Sequence, residues 1–168
     1  MIIGITGKSG VGKSTYAREL QSQSGYTLIT VDEICHKVLN DPSVTPVLLS
    51  IFGDEVIKND EVDRKYLGDL VFENRHKYDG LTRLVWNKVK SYIDEIIKSE
   101  ENIIIEWILL PHTNYWGICD KRILITTDES VRKSRAMSRD NISLEYLDKR
   151  DKAGIDYTYL HFDEVISL

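Results

Sequence analysis

Residues Gly7-Lys8-Ser9-Gly10-Val11-Gly12-Lys13-Ser14 form a Gly-x-x-x-x-Gly-Lys-Ser pattern. They follow the apolar run Met1-Ile2-Ile3-Gly4-Ile5 and precede Thr15 to Leu20, where apolar residues recur at helical spacing. Glycines let such a loop curl so that successive N–H groups point inward at phosphate oxygens. The positive end of the following helix adds to the same spot. Lys13 is then expected to reach the β- and γ-phosphates, and the Ser14 hydroxyl to ligate Mg²⁺. A chance Gly-rich turn would not need a strand before it and a helix after it. The segment from Gly7 to Thr15 is therefore read as the binding loop for a nucleoside triphosphate, ATP with Mg²⁺.

Three further features could carry chemistry beside it. Asp32 follows the apolar stretch Leu28-Ile29-Thr30-Val31. In a small-molecule kinase that is the place for a base that accepts the acceptor hydroxyl's proton, or for a group that orients Mg²⁺. An aspartate there also suits a helix N-cap, and one residue can do both. Arg132, Arg135 and Arg139 are spaced to share one helical face. A solvated basic face would look the same, but beside a phosphate loop Arg135 and Arg139 are expected in a lid that neutralises charge on the transferring phosphoryl group. Glu106 ends the run Ile103-Ile104-Ile105, where an acidic Mg²⁺ or water partner is often kept.

Composition narrows the rest. The chain has 168 residues, 42% hydrophobic and 29% charged, which suits one domain over residues 1–168. A net charge of −5 with no basic block argues against nucleic acid or an anionic membrane as partner. Cys35 and Cys119 have neither metal-ligand nor disulfide-framework spacing and read as buried thiols in a reducing compartment. Without a signal-peptide pattern or a run able to cross a bilayer, the expected location is the cytoplasm. His36, His76, His112 and His161 are scattered, and Trp86, Trp107 and Trp116 read as packing. No Asn-Lys-x-Asp guanine-reading motif is present, which counts against a GTPase, and the length counts against a motor.

These residues need a scaffold to gather them. Buried strands are expected at 2–6, 27–31, 103–108 and 122–126, with a weaker fifth at Tyr157 to Phe162. Helical patterns cover 13–23, 44–52, 63–73, 81–99, 129–138 and 144–152. Alternation of strands and helices implies a five-stranded parallel sheet with helices on both faces, a three-layer α/β/α fold. Ligands then bind at the carboxyl ends of the strands, which gathers the loop at Gly7, Asp32 and Glu106.

The match extends beyond the loop. The opening Ile2 to Gly7, the segment Val31-Asp32-Glu33-Ile34-Cys35-His36, the stretch Phe52-Gly53 and then Val62 to Phe72, and Arg135 to Ser143 together resemble the dephospho-coenzyme A kinase family. That resemblance implies transfer of the ATP γ-phosphoryl to the ribose 3′-hydroxyl of dephospho-coenzyme A, with Asp32 as base. It implies Lys13 and Ser14 on phosphate and Mg²⁺, and Arg135 and Arg139 from a lid at about 130–150. It also implies a helical acceptor side at about 42–99, and substrate binding by Asp32, Arg64, Leu67 and the lid-following Arg150. The family's first aspartate is Thr30 here, its His-Pro pair is Trp86-Asn87, its Asp-x-Pro-Leu-Leu segment is Glu106 to Leu110, and its last helix has no counterpart. These departures fall mainly on the acceptor side. They keep two rivals open, a kinase of a nucleoside or nucleoside monophosphate and a non-catalytic nucleotide binder; a monomer is the expected state.

Overall fold

β-branched residues fill the strands on which the chain is hung. The computed structural model describes residues 1–73 and 79–168, without the side chains of residues 72 and 73; His76 lies outside these residues. In chain order the elements are β1 (Ile2–Thr6), α1 (Lys13–Ser24), β2 (Thr27–Thr30), α2 (Val31–Leu39), α3 (Thr45–Phe52), β3 (Ile57–Lys58), β4 (Glu61–Val62), α4 (Arg64–Glu73), α5 (Asp79–Ser99), β5 (Ile103–Glu106), α6 (Tyr115–Ile118), β6 (Lys121–Thr126), α7 (Glu129–Asp140), α8 (Leu144–Lys152) and β7 (Glu164–Ser167).

Two compact units result, Met1–Thr30 with Ser99–Leu168, and Val31–Lys98. The first holds a five-stranded parallel sheet in the order β2-β5-β1-β6-β7. Ile3, Ile5, Ile104, Ile123 and Ile125 form its core with Val11 and Ala17, and Tyr16 and Leu20 of α1 pack against them. Strands this apolar on both faces need helices to cover them, which the crossovers supply. The register sets Ile5 and Thr30 on either side of Glu106, so the carboxyl ends of β1, β5 and β2 come level.

The expected fifth strand at Tyr157 to Phe162 is corrected. Tyr157–Tyr159 is a 3₁₀ turn, and the fifth strand is β7 at Glu164–Ser167. The Asp156 side chain accepts from the Thr158 N–H at 3.0 Å and from the Thr158 hydroxyl at 2.6 Å, which favours the turn over a strand despite the aromatic composition. Phe162 instead packs edge-on against Trp116, with ring centroids 5.7 Å apart.

In the second unit α2 begins at Val31, directly after β2, so Asp32 lies in its first turn rather than capping it. Its charge there suits the helix dipole. Strands β3 and β4 form a hairpin with two residues between them, Asn59 and Asp60, both at positive φ (54° and 64°). That is the geometry of a type I′ turn, and Asn-Asp is a turn signal the periodicity reading passed over. Along α5, Leu81, Val89 and Ile93 are buried, while Leu84 and Tyr92 are exposed. No helix among the described residues is long and apolar enough to cross a membrane.

Cys119 is buried and Cys35 half-buried, and burial pushes each thiol up to about 11. Cys119 also explains Gly4 in the middle of β1. A Cβ there would stand 2.7 Å from Cys119 Sγ, 3.2 Å from Leu110 and 3.3 Å from Trp116. Gly4→Ala is expected to cost about 1–3 kcal/mol in urea denaturation by overpacking. Adding Cys119→Ala should recover part of it, because the two changes share one contact.

Candidate active site

The loop after β1 is built from backbone that tolerates no side chain at two points. Gly7 sits at φ 147° and Gly10 at φ 86°. A Cβ on Gly7 would lie 2.3 Å from the Ile125 carbonyl oxygen, and one on Gly10 2.3 Å from that of Arg132. Directly after Gly10 the Val11 side chain turns into the sheet core, 3% exposed, and anchors the loop. Of Val11, then, the main chain is what a ligand could use.

Helix α1 opens at Lys13 behind Gly12, with no side-chain cap and no acidic residue in its first turn. Its first N–H groups have no intrahelical acceptor, and no acidic residue of the first turn competes with an anion for them. Lys13 Nζ donates to the Lys8 carbonyl at 3.0 Å. Ser14 Oγ donates to Glu106 Oε2 at 3.2 Å. Glu106 is 2% exposed at the end of β5. Lys8 and Thr15 are exposed.

Helices α7 and α8 bring cations to this loop. Asp128 caps α7, accepting from the N–H groups of Ser130 at 2.9 Å and Val131 at 3.2 Å. Asn141, at φ 49°, ends α7 in the left-handed region, and Ser143 caps α8 by accepting from Tyr146 N at 3.2 Å. The expected basic face divides three ways. Arg132 is 1% exposed. Its Nε donates to Glu129 at 2.9 Å, Nη2 to Asp151 at 2.5 Å, and Nη1 to the Ser9 carbonyl at 3.0 Å. Those hydrogen bonds to Glu129 and Asp151, against the opposing effect of burial, hold the guanidinium pKa above its usual value. Arg139 Nη2 donates to Ser9 Oγ at 2.9 Å, and Arg150 Nη2 to the same oxygen at 3.0 Å. Arg135 is exposed on α7.

Asp140 ties the two loop-facing arginines together. It accepts from Arg139 Nε at 2.7 Å and from Arg150 Nη2 at 2.9 Å. Burial works to raise its pKa, but the two guanidinium groups outweigh that and hold the carboxyl below its ordinary value.

Three expected residues lie in the second unit. Asp32 is exposed in the first turn of α2, Arg64 is exposed at the start of α4, and Leu67 is 6% exposed within α4. Asp32 and Arg64 act on the same thiol: after burial, the Asp32 charge raises the Cys35 pKa further and Arg64 lowers it. His36 lies 3.3 Å from Glu61, and His161 is exposed 3.7 Å from Asp163.

Sequence reasoning missed the structural part of Arg132 and the contact between Arg150 and Ser9. Spacing groups Arg132 with its neighbours on α7, whereas its burial depends on Asp151, nineteen positions along the chain.

Comparison with known proteins bears on this arrangement. The family model described as dephospho-CoA kinase matches residues 1–158. A dephospho-CoA kinase of Fusobacterium nucleatum is 33% identical over 152 residues, covering 89% of this chain and 78% of the relative. One from Staphylococcus aureus (strain bovine RF122) is 33% identical over 150 residues, 86% of this chain and 72% of the relative. Among solved structures, a Thermus thermophilus protein superposes with a TM-score of 0.82 at 26% identity, over 100% of this chain and 88% of that one. The dephospho-CoA kinase from Campylobacter jejuni gives 0.64 at 27% identity, over 99% and 87%. A shikimate kinase from Bacteroides thetaiotaomicron gives 0.57 at 14% identity over 99% and 86%, a likeness of fold.

Two outcomes test the arginine network. Arg132→Ala, which strands a buried carbonyl and a carboxylate, should lose about 3 kcal/mol or more in urea denaturation. The Asp140 pairing has a depressed folded pKa, so its stabilisation is complete above the unfolded carboxyl's value of about 4 and is lost as pH falls through the lower folded value. The stability difference between wild type and Asp140→Asn should stay level from about pH 7 to 5 and shrink below about pH 4.

Proposed function

Because the chain belongs to the dephospho-CoA kinase family, and so uses ATP to phosphorylate dephospho-CoA in coenzyme A biosynthesis, we propose that the residues around Gly7 to Thr15 carry that transfer and that the ribose 3′-hydroxyl receives the phosphoryl group. What chiefly supports the assignment is one loop that presents an uncapped helix start, Ser14 on the buried Glu106, and two arginines converging on Ser9. These are the parts an in-line transfer needs: a polyphosphate cradle, an acidic partner for a cation, and charge for the moving group.

The roles follow from the chemistry of each group. Loop N–H groups and Lys13 bind the β- and γ-phosphates. Lys13 leaves the Lys8 carbonyl for a phosphate oxygen, exchanging a neutral acceptor for a charged one. Ser14 Oγ and the Glu106 carboxylate are hard oxygen donors 3.2 Å apart, a set that fits Mg²⁺. The ion would neutralise phosphate charge when bound. Arg135 and Arg139 of α7, with Arg150 of α8, supply positive charge from the lid. Asp32 follows β2, whose last residue Thr30 is in register with Glu106, and it takes the acceptor hydroxyl's proton. Arg64 and Leu67 belong to the acceptor side, within about 42–99. The reading carries with it one kinase domain, acting as a cytoplasmic monomer on a small nucleotide-like acceptor, without nucleic acid or membrane.

Lys13→Ala should abolish ADP release. Asp32→Asn should lower kcat roughly a hundredfold or more while ATP affinity, measured by calorimetry, changes little. Unchanged kcat in Asp32→Asn would remove the base assignment.

A further inference from the structure

Ser9 does something that its position in the loop does not require. Phosphate loops bind through main-chain N–H groups, and an intervening side chain can be of almost any type. Yet the Ser9 side chain is enclosed, the residue being 7% exposed, and its Oγ accepts from Arg139 at 2.9 Å and from Arg150 at 3.0 Å. The two donors belong to different helices, α7 and α8. A hydroxyl oxygen has two lone pairs, and here both are engaged by guanidinium groups.

The Ser9 backbone is held as well. Its carbonyl accepts from the buried Arg132 at 3.0 Å, and the next residue, Gly10, lies hard against the Arg132 carbonyl. The hydroxyl is thus a fixed point rather than a mobile one. Each arginine is spanned between this neutral acceptor and the Asp140 carboxylate. The difference in charge matters. A carboxylate in the place of Ser9 would cancel the positive charge that a phosphoryl group needs. A hydroxyl orients the guanidinium groups and leaves that charge intact. Hydrogen bonds to a phosphate oxygen are stronger than those to a neutral hydroxyl, so an arriving nucleotide can draw the same N–H groups from Ser9.

We propose that Ser9 is a positioning residue: its hydroxyl holds Arg139 and Arg150 at the loop before nucleotide arrives, so that both are in place when charge develops on the phosphoryl group. The kinetic half of this rests on the kinase reading given above; the docking of α7 and α8 does not. Orientation arranged in advance costs no reorganisation during the reaction, so its loss falls on kcat more than on substrate binding.

The test compares Ser9→Ala, Ser9→Thr and Arg150→Ala, alone and with Ser9→Ala, in the full chain. Hydrogen exchange without nucleotide reads the docking. Ser9→Ala should speed exchange across residues 139–152 several-fold, and Ser9→Thr, which keeps the hydroxyl, should restore protection. Steady-state kinetics should show kcat down about tenfold in Ser9→Ala with KM for ATP within about twofold. In the Arg150→Ala background the further loss from Ser9→Ala should be smaller, because the two residues act through one contact. Unchanged exchange in Ser9→Ala, or losses that add fully, would overturn the proposal whatever the fold stability of the threonine variant. If wild type transfers no phosphoryl group yet Ser9→Ala still loosens 139–152, the docking stands and the kinase reading falls. If wild type is active and Ser9→Ala matches it in exchange and kcat, the reverse holds.

Discussion

Helix α7 rests on bare backbone. At Gly10 a methyl group would lie 2.3 Å from the Arg132 carbonyl, and at Gly7 the Ile125 carbonyl stands equally close. The loop is therefore pressed between β6 and α7 with no room for a side chain at either glycine. Because of that closeness, Arg132 reaches the Ser9 carbonyl, and Arg139 and Arg150 reach its hydroxyl. A bulkier residue at Gly10 would lift the helix and withdraw Arg132 and Arg139 with it.

The arginines are balanced unequally. Arg132 is buried and met by two carboxylates, Glu129 and Asp151, as a charge without water must be. It serves as a tie between α7, α8 and the loop. Arg139, 63% exposed in its side chain, and Arg150, 39% exposed, share the carboxylate of Asp140. Both also donate to Ser9, in the loop that leads into the start of α1. The same helix pair thus carries one buried structural arginine and two more exposed ones that meet at Ser9.

Sheet register levels the ends of three strands. Glu106 lies level with Ile5 and Thr30, so the segments leaving β1, β5 and β2 start from one end of the sheet. The glycine loop follows the first, Glu106 ends the second, and Asp32 comes two residues after the third. Open parallel sheets place ligands at this end because the crossing helices direct their N-termini there.

Much of this was legible in the chain. β1, β2, β5 and β6 are runs of isoleucine and other apolar residues that only a sheet covered on both faces accommodates, and the Gly-x-x-x-x-Gly-Lys-Ser spacing names its own chemistry. Local pattern misled where a nearby polar group outweighed it. Asp156 turned Tyr157–Tyr159 away from the strand that their composition suggests, and the strand formed at Glu164–Ser167. The Asn59-Asp60 hairpin passed unread because its strands are two residues each, too short for a period to show. Spacing also put Arg132, Arg135 and Arg139 on one face without distinguishing them. By itself, then, the sequence determined the phosphate loop, the parallel sheet and the family, since each depends on residues adjacent or at a regular period. Only the tertiary structure decided that Arg132 is a buried tie, that Arg139 and Arg150 meet at Ser9 and that Ser14 meets Glu106. Those contacts join positions from 19 to 141 residues apart, and their geometry follows from how closely backbone can approach backbone at Gly7 and Gly10.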